Sequence, residues 1–214
     1  MNGIDTASRV PKQERGLLRN RHEYFPCSIP LFELHGLQPE DHQMTEIENV
    51  ANYLRRRSLT LATAESCTAG LIASQLAEVP GAGGLLECAF VVYSPAAKRS
   101  CLGVSDEILR QYNLTSTEVS CAMAKGAAER CSASVIIANT GVADDGGEGV
   151  EAGTQCYAWL LRTPGIPTRI YTETRQFSGS RNEVRQMAAE YALQRIQHYH
   201  AQWLASRERG NDDD

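Results

Sequence analysis

Apolar and polar residues change period along this chain, and the change separates a leading segment from an ordered block. From Met1 to about Gln43 the residues are mostly polar, show no sustained period and are interrupted by Pro11, Pro26, Pro30 and Pro39. Residues 1–44 therefore read as an irregular N-terminal arm. Thr45-Glu46-Ile47-Glu48 then has the form of a capping box, and Ile47, Val50, Ala51 and Leu54 fall on one helical face. Beyond that helix, runs of strand length alternate with helical ones. The pattern predicts strands at 59–64, 86–93, 134–140, 154–161 and 168–177, and helices at 67–78, 95–101, 106–112, 117–131 and 181–207. Thr163-Pro164-Gly165 reads as a hairpin turn. The fold class that follows is α/β: a layered α/β/α domain over 45–207 with a mixed, mostly parallel sheet, antiparallel across the Pro164 turn. In the last helix Val184, Met187, Ala188, Tyr191 and Ile196 make one apolar stripe that belongs to the core. Residues 208–214 end in Asp212-Asp213-Asp214, a solvated acidic tail.

Composition narrows the function classes. A chain of 214 residues can bury one substantial core. Its net charge is −5, and the only basic run, Arg55-Arg56-Arg57, ends a predicted helix where cations complement the dipole. No nucleic-acid partner is expected. No stretch has the length and apolarity of a membrane span or a secretory signal, so no membrane partner and a cytoplasmic location are expected. The seven cysteines, Cys27, Cys67, Cys88, Cys101, Cys121, Cys131 and Cys156, are an odd number without a CxxC pair. That pattern fits reduced thiols, and neither it nor the five histidines gives metal-ligand spacing. No metal and no cofactor are expected. Apolar faces fit a symmetric homo-oligomer.

The chemistry concentrates in LTLATAESCTAGL, Leu59 to Leu71. A short apolar strand stops at Glu65-Ser66-Cys67-Thr68, and small residues open the next helix, so a carboxylate, a hydroxyl and a thiol crowd a strand-to-helix turn. Unpaired N–H groups and a partial positive charge at a helix start favour an alkoxide, an oxyanion or a phosphate. A second polar cluster lies in FVVYSPAAK, where Ser94 can cap a helix, Pro95 suits its first position, and Lys98 falls in the first turn. A helix N-terminus and burial both favour a neutral lysine amine there. If the first two strands are neighbours, Ser66, Tyr93 and Lys98 converge at the carboxyl edge of a sheet, where sites in parallel α/β folds form. A serine activated by a neutral lysine runs acyl transfer without histidine. Taken singly, Ser66 as a cap, Tyr93 as a packed ring and Lys98 as a solvated cation are ordinary alternatives.

Residues from about Thr45 to about Gln202 resemble the C-terminal domain of the CinA family, whose stand-alone members are nicotinamide-nucleotide amidases. The stretches that carry the resemblance are TAESCTAGL, PGAGG, FVVYS with AAK, LGV at Leu102 to Val104, NTGVA at Asn139 to Ala143, AGT at Ala152 to Thr154, and FSGSRNEVR at Phe177 to Arg185. The resemblance implies hydrolysis of nicotinamide mononucleotide, a small-molecule pyridine nucleotide, to nicotinic acid mononucleotide and ammonia. Ser66 would be the nucleophile, Lys98 the base, and Tyr93 an aid to proton movement toward ammonia. Backbone N–H groups of Cys67 and Thr68 would hold the oxyanion. Thr68, Gly70, Thr140, Gly141 and Arg181 would meet the phosphate. The chain departs from the family pattern at Ala69, Pro95 and Ser180. It also departs in ADDGGEGVEAGT, where Asp144, Asp145, Glu148 and Glu151 replace a glycine- and proline-rich turn with a later lysine-proline. A catalytically silent binding or interaction module is the alternative that these departures leave open.

Overall fold

In the computed structural model the described residues are 44–144 and 149–210. Residues 1–43 of the arm, Asp145 and Glu148, and residues 211–214 of the acidic tail lie outside them. Helix α1 (Glu46–Arg56) starts at Thr45, whose side chain accepts from the Glu48 N–H while Glu48 accepts from the Thr45 N–H, the reciprocal cap foreseen from the sequence. Strand β1 (Leu61–Glu65) leads through a turn to α2 (Leu71–Ala77), and a single 3₁₀ turn at Ala82–Gly84 precedes β2 (Leu86–Val91). Three helices follow, α3 (Pro95–Leu102), α4 (Asp106–Gln111) and α5 (Thr117–Ala128). Strands β3 (Val135–Gly141), β4 (Thr154–Thr163) and β5 (Ile166–Gln176) complete the sheet, and α6 (Arg181–Gly210) covers it.

The five strands run in the order β2-β1-β3-β4-β5. β1 pairs in parallel with β2 and β3, whereas β3–β4 and β4–β5 are antiparallel. Two reversals restore direction, so β5 runs the same way as β3 and only β4 opposes the rest. The hairpin turn at Pro164-Gly165 is where the sequence placed it, with Gly165 at φ +79.

Alternation along the strands divides the core. Leu61, Val135, Ile137, Tyr157, Trp159 and Leu161 face α1, α2 and α6. Ala62, Ala64, Ile136, Ala138, Ala158 and Leu160 face α5 and the end of α3. The second face is lined with alanine, which lets α5 approach closely. Tyr157 and Trp159 are buried yet satisfied, their O–H and N–H donating to the carbonyls of Ala188 and Ala192 on α6.

One boundary differs from the expectation in a way that matters. The helix predicted to begin at Cys67 begins at Leu71, and residues 66–70 form a turn in which Ala69 (φ +50) and Gly70 (φ +94) are left-handed. The cause is Glu65, the last residue of β1. Its fully buried carboxylate accepts from the hydroxyls of Thr63 and Thr68 and from the N–H groups of Gly70, Ile72 and Ala73. A strand side chain thus caps the helix from across the turn, and the intervening residues are looped out at the sheet's edge.

Candidate active site

The looped-out residues are held on both sides. The Ser66 N–H donates to the Asn139 carbonyl of β3 (2.9 Å), and the Val92 N–H donates to the Glu65 carbonyl (2.8 Å). These bonds extend the β1–β3 and β1–β2 ladders by one residue and bring Ser66 beside Val92 and Tyr93. Ser94 caps α3, accepting from the Ala97 N–H at 3.1 Å, and Pro95 occupies the first helical position. Lys98 is then carried inward by the first turn of α3.

The lysine is 1% exposed, and Ser66 is 7% exposed. Lys98 Nζ lies 2.9 Å from Ser66 Oγ and 3.1 Å from each of the carbonyl oxygens of Val92 and Tyr93. Among the described residues no carboxylate pairs with it. Burial lowers its pKa from 10.5 to about 8. In the neutral form its two N–H groups are matched by the two carbonyls, and its lone pair is left for the Ser66 hydroxyl proton. The geometry is that of a nucleophile with its base already in hydrogen-bond contact.

The other residues singled out from the sequence divide into two groups. Tyr93 places its carbonyl on Lys98, but its ring is exposed and its phenol oxygen accepts from Arg181 Nη2 at 2.9 Å rather than meeting Ser66. Arg181 also donates to Asp144 Oδ1 at 2.7 Å. The Cys67 N–H has no partner among the described residues. Ala69 N–H donates to the Ser66 carbonyl (3.2 Å), and a planar peptide then sends the Cys67 N–H the opposite way. The remaining donors are engaged inside the fold. Thr68 gives its N–H to Asn139 Oδ1 (3.3 Å) and its hydroxyl to Glu65, which also takes the Gly70 N–H. The Thr140 hydroxyl donates to the Leu114 carbonyl at 2.7 Å. Gly141 leaves room for the Gln155 side chain, whose Oε1 would lie 2.4 Å from any Cβ added there.

Four residues in the site had no assigned role from the sequence. Glu65 shapes the turn. Asn139 and Gln155 form a buried relay, Asn139 Nδ2 donating to Gln155 Oε1 while Gln155 Nε2 reaches Cys67 Sγ at 3.3 Å. Arg185 donates to the carbonyls of Cys67 (3.0 Å) and Thr68 (3.2 Å), pinning the turn from α6. The signal for Glu65 was a lone carboxylate ending an apolar strand, flanked by Thr63 and Thr68. Burial pushes the Cys67 thiol pKa up, which makes it a packed, protonated group.

Comparison with known proteins shows the family. The family model for the CinA C-terminal domain matches residues 43–200. The chain belongs to the CinA C-terminal domain family. Curated CinA-like proteins from Chlorobium luteolum and Akkermansia muciniphila are 38% and 42% identical over 162 and 146 residues, 75% and 67% of this chain. The chain spans about a third of the length of those relatives, 36% and 34%. Solved CinA-family structures align more fully. The competence damage-inducible protein A of Klebsiella pneumoniae superposes with a TM-score of 0.69 at 31% identity, over 74% of this chain and 96% of that one. The CinA superfamily protein of Escherichia coli gives 0.64 at 36% identity, over 72% and 93%. Among the described residues of this CinA domain, no helix is long and apolar enough to cross a membrane.

Proposed function

We propose that the protein is a serine amidase that hydrolyses the carboxamide of nicotinamide mononucleotide to nicotinic acid mononucleotide and ammonia. The observation that carries the reading is the 2.9 Å contact between a buried lysine amine and the Ser66 hydroxyl, with no carboxylate among the described residues to hold the amine protonated. Ser66 Oγ attacks the carboxamide carbon and Lys98 takes its proton. The Cys67 N–H faces the oxyanion. When the tetrahedral intermediate collapses, the C–N bond breaks and Lys98 returns the proton to departing ammonia, leaving an acyl ester on Ser66. Water, deprotonated by the same amine, hydrolyses the ester. Tyr93 contributes its carbonyl to the base and its phenol to Arg181. A part for that phenol in moving a proton requires the ring to leave Arg181.

Ammonia release from nicotinamide mononucleotide tests the reading. Wild type is expected to release ammonia, and both Ser66→Ala and Lys98→Ala to lose release by two orders of magnitude or more. A Ser66→Ala variant as active as wild type would falsify it. One observation favours a second reading, a catalytically silent interaction module: Arg181, the arginine expected to meet the phosphate, is already occupied by Asp144 and Tyr93. No ammonia release from wild type, together with an Arg181 that the mononucleotide does not engage, would support that alternative.

A further inference from the structure

We infer that Asp144 sets the substrate preference of the Ser66 site, standing on Arg181 where a substrate phosphate would stand and tilting selection toward pyridinium carboxamide nucleosides that lack phosphate. The inference rests on the amidase reading and deepens it. Tyr93 ties the rim to the reacting atoms, since its carbonyl holds the Lys98 amine (3.1 Å) while its phenol accepts from Arg181 (2.9 Å). Ala143, next to Asp144, and Val184, three residues past Arg181, both pack on Cys67. Asp144 and Arg181 therefore flank the nucleophile's turn.

The donors that a phosphate might use are otherwise committed. Arg185 faces the carbonyls of Cys67 and Thr68, and the donors of Thr68, Gly70 and Thr140 are bonded within the fold. Among the described side chains expected to meet a phosphate, that leaves the Arg181 guanidinium, and its Nη1 carries a carboxylate at 2.7 Å. A phosphate that takes the Nη1 side of the guanidinium displaces Asp144, and one that takes another N–H still stands beside a like charge. A phosphate-free pyridinium nucleoside meets neither obstacle, and its cationic ring is favoured near a carboxylate. Both partners of the pair are about half exposed, 48% and 55%, so water and salt temper the effect.

The test compares nicotinamide mononucleotide with nicotinamide riboside as substrates for wild type, Asp144→Asn, and Asp144→Asn combined with Arg181→Met. The readout is the ratio of kcat/KM for mononucleotide over riboside, which is independent of the folded fraction. Asp144→Asn is expected to raise the ratio by about tenfold, the scale of one rim charge in partial solvent, and Arg181→Met to cancel the rise. An active wild type whose ratio is unmoved by Asp144→Asn overturns the inference and leaves the amidase reading intact. If wild type releases ammonia from neither substrate, the amidase reading fails. The ratio of dissociation constants, measured by calorimetry in a Ser66→Ala background, then decides on Asp144, and an unmoved ratio overturns it there too.

Discussion

The pH dependence of ammonia release reads the base directly. With a pKa of about 8, Lys98 is neutral in about 9% of molecules at pH 7, against about 0.03% for a lysine at 10.5. Burial therefore makes the base form about 300-fold more abundant at neutral pH, and the gain shrinks as pH approaches 10.5. The value of kcat/KM should rise tenfold per pH unit up to about 8 and level off above it, because kcat/KM reports the free enzyme. The mononucleotide's own phosphate titrates near about 6, so the window to read is about 6.5 to 10. Lys98→Arg, which stays charged throughout, should remove the rise together with most of the activity. Stability supplies an independent arm. Below the folded pKa both folded and unfolded chains carry the proton, and the native state bears the cost of a buried charge. As pH rises through about 8 the folded lysine deprotonates while the unfolded one does not, so wild type should gain stability relative to Lys98→Met between about 8 and 10.5. A rate profile flat from 6.5 to 10, or an inflection that survives in Lys98→Arg, would refute the assignment of the base.

Two further outcomes follow from the turn. Ala69, at φ +50, occupies a conformation that costs an L-residue about 1 kcal/mol or more, so Ala69→Gly should raise the urea midpoint, with a gain of up to about 1 kcal/mol after the added unfolded-state entropy; a fall would contradict it. Glu65→Gln places an amide donor against hydroxyl and N–H donors at a fully buried site and should cost about 2–4 kcal/mol, with kcat lowered in the fraction that remains folded. Wild-type unfolding and turnover in that variant would remove Glu65 from the account of the turn.

Much of the architecture was legible because it rests on local rules. Period 2 against period 3.6 separated strands from helices, and Ser94-Pro95 fixed the start of α3, which is what turns Lys98 inward. The neighbouring of β1 and β2 entered the sequence reading only as a condition of the Ser66–Lys98 encounter, and the sheet meets it, with Glu65 opposite Val91. What escaped the sequence was long-range. Glu65 capping α2 displaces the helix start by four residues, and no local pattern marks a strand carboxylate as a helix cap. The phosphate assignments for Thr68, Gly70, Thr140 and Gly141 rested on small residues at turns, a pattern blind to whether their donors are already spent inside. The Arg181–Asp144 pair joins positions 37 residues apart, beyond the reach of spacing arguments.

The site's electrostatics depend on keeping two buried groups of opposite sign from pairing. Glu65 is the neighbour of Ser66, and Ser66 touches Lys98. A carboxylate placed on that amine would hold it protonated and abolish the base. Instead both Glu65 oxygens are taken up by neutral donors, two hydroxyls and three backbone N–H groups. Lys98 is met by two carbonyls and the nucleophile itself. The same bonds that cap α2 and loop out Ser66 therefore also withhold the counter-ion that would silence the lysine. Shaping the turn and leaving the amine without a counter-ion are two consequences of one arrangement of donors, while burial lowers the amine's pKa; a change at Glu65 is therefore expected to act on turnover as well as on stability.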